Sequence, residues 1–199
     1  MRRFLLILFA AVFLSSSALA GPKAPVSLAG ITLGEDYHKY EDLLRMELAG
    51  ANSDAIFLDE ALIRTGAIPG VRGGSVIWGN CANKDRIVRL KIKFADTSED
   101  LFKRLLERYR EKFGQPSAYQ GDSFRNVVAW EWDISDAARH VNIVLMYSVN
   151  PDIRPGVSIK LTDQALLDLE FACYKENYRS RYLQEQAGAI EDLDTFVPR

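Results

Sequence analysis

The sequence predicts an α+β protein in which helices pack on one face of an antiparallel sheet of about five strands. Residues 86–94 alternate apolar and basic side chains, which is the period of a half-buried strand. Residues 99–113 place apolar side chains three and four positions apart, the spacing of an amphipathic helix. The order helix, two strands, helix, three strands, helix suggests two helix-plus-hairpin units that share one sheet.

The chain begins with a pattern typical of a secretory signal peptide. Two arginines precede an apolar run over residues 4–14, and Ala18-Leu19-Ala20 supplies small residues for cleavage. The apolar run is shorter than the roughly 20 residues of a membrane span. We therefore expect cleavage after Ala20 and a soluble mature protein, periplasmic or secreted, without stable membrane insertion.

Three further segments follow from composition: a leader over residues 21–29, a single α+β domain over 30–187, and a loose C-terminal tail over 188–199. Loss of Arg2 and Arg3 with the signal would take the formal net charge from −2 to −4. A mildly acidic chain of mixed sign is poorly suited to neutralising phosphates, so nucleic acid is not an expected partner.

The first predicted helix covers residues 35–48. Thr32 and Glu35 have capping-box spacing, and the apolar side chains fall on one stripe. These are Tyr37, Tyr40, Leu44 and Leu48. Residues 54–64 fit either a strand and turn or a short helix. The glycine-rich stretch from Gly70 to Ser75 lacks the Gly-Lys-Ser/Thr ending of a phosphate loop and is interpreted as a flexible connector.

The remaining elements are predicted from alternation, caps and turn residues. A strand over 76–81 precedes the strand over 86–94, in which one side is apolar through Val88, Leu90, Ile92 and Phe94. A helix over 99–113 is capped by Thr97 or Ser98. Strands follow at 127–134, 140–148 and 156–161, with a short edge piece at 118–120. A last helix over 164–186, capped by Thr162 or Asp163, turns six side chains inward: Leu166, Leu167, Leu169, Phe171, Cys173 and Tyr174.

Two tryptophans lie one residue apart in the segment Val128–Ile134. The period of a strand places Trp130 and Trp132 on one apolar face, where burying both indoles would remove a large apolar area from water. We interpret both as core residues; the alternative is an aromatic platform for a ligand.

Cys81 and Cys173 are the two cysteines of the chain. An even pair in an exported protein favours a disulfide, with two buried thiols or a redox pair as alternatives. The redox alternative is disfavoured because the chain has no Cys-x-x-Cys motif.

The polar sides of two strands carry opposite charges and form the candidate binding face. Its residues are Arg89, Lys91, Lys93, Glu131 and Asp133. We expect the basic and acidic rows to share the solvent face of the sheet and to pair electrostatically. The alternative is that acids serve as a glycosidase pair, either Glu131 with Asp133 or Asp59 with Glu60.

No catalytic, cofactor-binding or metal-ligating set of residues is predicted. His38 and His140, the two histidines, have no nucleophile or metal ligand at motif spacing. The acids near Asp133–Asp136 and Asn150–Asp152 do not match the twelve-residue calcium loop and are interpreted as turn residues.

The lead-in Gly30-Ile31-Thr32-Leu33-Gly34, followed by a predicted helix and an antiparallel hairpin, resembles the small outer-membrane-assembly lipoproteins of the BamE type and the related β-lactamase-inhibitor-like fold. The resemblance covers residues 30–48 and 74–95. It implies a protein-binding or scaffolding task in the cell envelope and carries over no site residue. The chain departs from the pattern in having no lipidation cysteine near the predicted cleavage point.

The sequence therefore favours an exported, soluble, non-enzymatic domain that binds a protein or another envelope component through its sheet or its glycine-rich loop. The alternative function is a hydrolase acting on an envelope or extracellular substrate, with Asp59, Glu131 or Asp133 in a cleft. A third interpretation is small-molecule binding in a cavity beside Trp78 or Trp130. The sequence does not set the oligomeric state.

Overall fold

The computed structural model describes residues 23–150, 155–179 and 192–198. The predicted signal peptide, the far end of the predicted last helix and part of the predicted tail lie outside these ranges. The α+β class is confirmed. The main sheet has eight antiparallel strands, in place of the expected five, and a two-stranded ribbon precedes it.

Short strands and 3₁₀-helices come first along the chain, and the two α-helices come later. The ribbon consists of β1 (Ser27–Leu28) and β2 (Ile31–Thr32), and two 3₁₀-helices follow at Tyr37–Leu43 and Met46–Leu48. The first half of the sheet contains β3 (Gly50–Ala51), β4 (Leu58–Leu62), β5 (Val71–Gly79) and β6 (Ile87–Phe94). Helix α1 (Glu99–Phe113) leads to β7 (Ala118–Tyr119), β8 (Val127–Ser135), β9 (His140–Ser148), β10 (Gly156–Asp163), α2 (Gln164–Asn177) and a 3₁₀-turn at Leu193–Phe196.

Two meanders meet in the middle of the sheet. The strand order is β3-β4-β5-β6-β10-β9-β8-β7, so β6 and β10 join the two halves. Each meander follows a helical segment, the 3₁₀ pair or α1, and has four strands in place of the two or three expected in each unit. The two outermost strands have only two residues each, which limits exposed strand edge.

The front face of the sheet, which carries Leu90, Leu145 and Trp132, forms the main core. Helix α1 covers one half of this face and buries Phe102 against it. The helix begins where Ser98 caps the backbone N–H of Leu101, as its sequence predicts.

Helix α2 lies on the other side of the sheet, the back face, so the expectation that all helices pack on one face is wrong. Leu166 and Leu167 pack against Ile77 and Val88, which form a separate small core. The physical reason is local. Asp163 both ends β10 and caps α2, so the helix starts directly from the strand and packs on the apolar patch that Ile77 and Val88 form on the back face.

A register shift in the β5–β6 pair creates this second core. Ile77 pairs with Arg89 and Trp78 pairs with Ile87, which leaves Val88 as an extra residue, as in a β-bulge. Val88 therefore packs with Ile77 on the back face. The predicted alternation, which placed Val88 beside Leu90, is wrong at this one position.

The predicted first helix is two short 3₁₀-helices, and its N-cap is Asp36 instead of Thr32. The chain cannot continue as a helix because its backbone pairs with the end of β4: the N–H of Arg45 donates to the Leu62 carbonyl at 2.8 Å. Leu44 is fully buried at this point, whereas Leu48, expected on the same stripe, is 53% exposed.

The glycine-rich stretch is a strand, so its interpretation as a flexible connector is wrong. Gly73 and Gly74 lie within β5. A Cβ at Gly74 would be 2.0 Å from the carbonyl oxygen of Lys91 on β6. Glycine is needed here because the neighbouring backbone approaches too closely for a side chain.

The segment that precedes the first 3₁₀-helix is tied to the sheet. Ala24 is buried, and its N–H donates to the carboxylate of Asp136 at 3.0 Å. Arg139 from the same turn forms a 2.9 Å ion pair with Asp163 and donates to the carbonyl of Leu33. These contacts join the N-terminal segment to the turn between β8 and β9 and to the end of β10.

Candidate functional site

The five predicted binding-face residues share the back face of the sheet. In register, Lys91 of β6 lies beside Lys160 of β10, which lies beside Val144 of β9 and then Glu131 of β8. Arg89 occupies the corresponding place one row nearer α2.

The expected electrostatic pairing of the two rows does not occur. Two strands separate β6 from β8, which puts the rows about 14 Å apart at the usual strand spacing. Glu131 instead accepts hydrogen bonds from Gln120 and Asn142, both at 2.5 Å. The prediction was wrong because strand order depends on contacts distant in sequence.

The basic half of the back face surrounds a small depression of about 140 Å³, which we call the basic depression. Its cationic rim consists of Arg72, Lys91, Lys93 and Lys160, and its lining contains no carboxylate. Val144, Met146 and Ser158 contribute to its floor, while Ile92 and Ile159 complete the lining. A space of this size accommodates a single acidic side chain and not a larger ligand.

Several rim cations are positioned by the protein. Arg72 donates through Nε to the carbonyl of Phe94 at 2.9 Å and through Nη2 to the carbonyl of Pro155. Lys91 Nζ lies 3.1 Å from Asp54 Oδ2, which is an ion pair at the edge of the patch. Lys93 is exposed to solvent. Of these three rim residues, Arg72 is fixed by hydrogen bonds and Lys91 by an ion pair, whereas Lys93 projects into solvent.

Arg89 lies beside this patch but is more enclosed. Its Nε donates to Thr162 Oγ1 at 3.1 Å, and burial lowers the pKa of its guanidinium, which nearby Asp54 partly offsets. An arginine remains charged in spite of such a shift. Arg89 therefore adds positive charge beside the basic depression without lining it.

The three acids considered for hydrolysis do not line one shared cleft. Asp59 lies on β4 in register with Trp78, whereas Glu131 and Asp133 lie on β8, about 24 Å away across five strand spacings. Asp133 borders a small depression at the β8 edge in which no second carboxylate takes part. A two-carboxylate mechanism needs acids about 5–10 Å apart across a shared site. Glu131 and Asp133 are about 7 Å apart along β8, but Glu131 is hydrogen-bonded to Gln120 and Asn142 and does not line the depression beside Asp133.

The histidines make no nucleophilic pair in the described part of the chain. His140 contacts the carboxylate of Asp133, and His38 contacts Asp36 at 2.7 Å. No serine, threonine or cysteine side chain among the described residues hydrogen-bonds to either ring. Within residues 23–150, 155–179 and 192–198, no three His, Cys, Asp or Glu side chains are grouped to hold a metal ion.

A second concave site lies between α1 and the β7–β8 edge; we call it the aromatic groove. Its volume is about 550 Å³, within the range of roughly 300–1,000 Å³ that is usual for ligand pockets. Its apolar walls are Phe102, Leu106, Tyr119, Val128, Trp130, Tyr147 and Val149. Charged and polar residues at its rim are Glu99, Arg110, Asp122, Ser123 and Arg125.

The two tryptophans of β8 therefore differ in environment. Trp132 is 2% exposed, and its indole N–H donates to the Gly114 carbonyl at 2.9 Å. Trp130 is only half-buried and lines the aromatic groove. The interpretation of both as core residues is right for Trp132 and holds only in part for Trp130, which packs against the core but also lines the groove. Trp78 is buried and stacked on Tyr37 at 4.0 Å, so it lines no open cavity of this kind.

Sequence reasoning missed two rim cations and the whole rim of the aromatic groove. Lys160 could have been found, since β10 alternates Val157, Ile159 and Leu161 with polar residues and so places Lys160 on the back face. Arg72 could not, because it belongs to the stretch interpreted as a connector.

Comparison with protein-family models, with curated proteins and with solved structures finds no match.

Proposed function

We propose that this protein is an exported, non-enzymatic binding domain that holds an acidic segment of a partner protein in the cell envelope on the back face of its sheet. The basic depression is the observation that carries the proposal. Four cations surround it and its lining has no acid, although the chain as a whole is net negative. Such local charge separation favours an anionic partner.

The shape of the surface favours a protein over a small ligand. The depression is small and lies on a broad sheet face, of which α2 covers only the end near Ile77 and Val88. An extended acidic segment could place one carboxylate in the depression and its neighbours against Lys93 and Lys160. The apolar floor at Val144 and Met146 would contact the aliphatic part of the bound side chain.

The disulfide supports an oxidising compartment. Cys81 and Cys173 are bonded, with their Cα atoms 6.0 Å apart, and disulfides persist in exported proteins. Among the described residues no helix is long and apolar enough to cross a membrane. Periplasmic or secreted location, and the similarity to BamE-type proteins, stay predictions that fit a protein-binding task.

The experiment measures binding of a synthetic peptide that alternates Glu and Val, with the Gln–Val peptide as its uncharged counterpart. We expect the acidic peptide to bind more tightly, with an affinity that falls as salt concentration rises. Lys93→Glu should weaken it about tenfold or more, since it replaces attraction with repulsion at the rim.

The matched control is Lys103→Glu, which makes the same charge change on exposed α1. It should leave binding within about twofold of the wild type because α1 lies on the opposite face. Equal binding of the two peptides, or equal loss in Lys93→Glu and Lys103→Glu, would refute the proposal.

A further inference from the structure

The aromatic groove is a site separate from the basic depression, on the other side of the sheet. Its walls are rings held in mutual contact: Phe102 stacks on Tyr147 at 5.7 Å between centroids, and Tyr119 meets Trp130 edge-on at 5.0 Å. Tyr119 remains 41% exposed. Half-exposed aromatic rings around a concave space are typical of ligand sites, where flat apolar groups gain contact area.

The loop that closes one end of the groove is fixed before any ligand binds. Asp122 accepts hydrogen bonds from the N–H groups of Asn126 at 3.0 Å and Val127 at 2.9 Å. The Tyr119 hydroxyl donates to the Asp122 carbonyl at 3.1 Å. A Cβ at Gly121 would be 2.3 Å from that hydroxyl, so the ring packs directly on the glycine. A preformed wall lowers the entropy cost of binding.

The rim acids are already engaged by the protein. Both carboxylate oxygens of Asp122 accept the backbone hydrogen bonds of its own loop. Glu99 forms an ion pair with Lys103 at 3.0 Å, one turn along α1. Neither carboxylate is therefore well placed to bind a cationic ligand.

The two rim arginines, unlike the rim acids, are available to contact a ligand. The guanidinium of Arg110 lies over the Trp130 ring, 6.0 Å from its centroid. Arg125 lies in the 120–126 loop, at a backbone φ of 59°. Within residues 23–150 and 155–179, neither arginine forms an ion pair. A guanidinium over an aromatic wall presents its N–H groups to a bound anion, while the ring contacts the apolar part of the same ligand.

We propose that the aromatic groove binds a small amphiphile with one anionic group, its apolar body against Tyr119 and Trp130 and its anion on Arg110. The ligand body is either an aromatic ring system or an acyl chain, since both match the apolar walls. The recognised chemistry is a carboxylate on an apolar body. This site is independent of the acidic partner proposed for the back face.

The test compares acids with alcohols of the same body: naphthylacetate with naphthylethanol, and decanoate with decanol. Calorimetry gives the affinities, and the indole N–H signal of Trp130 reports binding at the groove. We expect at least one acid to bind about tenfold more tightly than its alcohol. If naphthylacetate binds more tightly than decanoate, the natural ligand has an aromatic body; if decanoate binds more tightly, it has an acyl chain.

The decisive variant is Arg110→Gln, with Arg108→Gln as its control. Both residues are exposed on α1, but Arg108 faces Glu111 at 3.6 Å and does not line the groove. Arg110→Gln should reduce the acid-over-alcohol preference to about twofold or less, while Arg108→Gln keeps it. Trp130→Leu should weaken acid and alcohol by similar factors.

Three outcomes would overturn the proposal. They are the absence of a saturable shift of the Trp130 signal with all four probes, equal binding of each acid and its alcohol, and a preference that survives Arg110→Gln. Because Arg110 is on the surface, loss of folding does not confuse the result, and a melting curve of each variant verifies this.

Discussion

Glu170 of α2 accepts a hydrogen bond of 2.8 Å from the backbone N–H of Cys81, in the turn between β5 and β6, across 89 positions of sequence. The same carboxylate accepts from the N–H of Asn80 at 3.2 Å and from that of Asn83. Glu170 is fully buried, and one turn later Cys173 forms its disulfide with Cys81. The carboxylate and the disulfide together fix α2 to the β5–β6 turn.

Glu170→Gln should destabilise the protein by about 3 kcal/mol. The amide keeps one acceptor oxygen but turns an NH₂ group toward N–H donors, and buried unsatisfied donors cost about 1–3 kcal/mol each. Chemical denaturation measures the free energy of unfolding. Glu176→Gln, on the exposed side of the same helix, is the control and should change it by less than about 0.5 kcal/mol. Equal effects of the two variants would show that the buried contacts contribute little.

Removal of the disulfide, in the double variant Cys81→Ser with Cys173→Ser, should lower stability by up to roughly 5 kcal/mol. The bond closes a loop across a sequence separation of 92, and a closed loop of this length restricts the unfolded chain strongly. Denaturation with and without reductant provides the check. Reductant should destabilise the wild type and leave the double variant unchanged; a similar response of both would exclude the disulfide as the cause.

The contact between Glu170 of α2 and the β5–β6 turn is one that the sequence did not predict. Strands β8 and β9 and helix α1 were predicted within about one residue, because each combines a clear period with a cap or a turn. Glu170 was not predicted, since a charged residue on a helix is normally assigned to solvent. Its burial depends on a turn 89 positions away, and local periodicity contains no information on such a contact.

The candidate sites were likewise predicted from the sequence only in part. Alternation correctly placed Lys91 and Glu131 on one face of the sheet, because the local period of a strand decides on which face each side chain lies. Their separation depends on strand order, and so the predicted pairing failed. The aromatic groove depends on how α1 and the loop after β7 pack beside β8, which leaves Trp130 half-buried and Trp132 buried although both share a face. Periodicity alone therefore predicts on which face of the sheet a residue lies, but not where the sheet forms a concave site.

Gly74→Ala should destabilise the protein by at least about 2 kcal/mol, whereas Gly73→Ala should have a much smaller effect. A Cβ at Gly74 would be 2.0 Å from the Lys91 carbonyl oxygen, at a φ of 154°. At Gly73 the same Cβ meets nothing within 4 Å. Thermal and chemical unfolding of the two neighbouring variants give a direct comparison. Equal stabilities would contradict the close backbone approach.

The pKa of His38 should lie above its ordinary value of 6.5, chiefly because its ring hydrogen-bonds to Asp36, and the pKa of Asp36 should lie below 3.8 for the same reason. The stability from the raised histidine is fully present below pH 6.5 and is lost as pH rises through its folded pKa. The contribution of the lowered carboxyl is present above pH 3.8 and is lost as pH falls through its folded pKa.

An NMR titration of the His38 ring measures this directly. Asp36→Asn should move the midpoint back toward 6.5, while retaining a capping side chain for the 3₁₀-helix. Asp42→Asn changes charge on the same segment at an exposed position and should move the midpoint much less. An unchanged midpoint in Asp36→Asn would refute the assigned cause.

Tyr109 should make stability fall at alkaline pH. Burial raises the pKa of its hydroxyl from 10.0 to about 12, in a site where its ring lies 5.4 Å from that of Trp132. Between these two values the unfolded chain releases the proton that the folded chain retains, so unfolding is favoured as pH rises. Denaturation at successive pH values above 10 should therefore show a slope that Tyr109→Phe reduces, since phenylalanine keeps the packing without the ionisable group. If the slope is the same in both proteins, the hydroxyl is solvated and α1 does not seal this side of the front core.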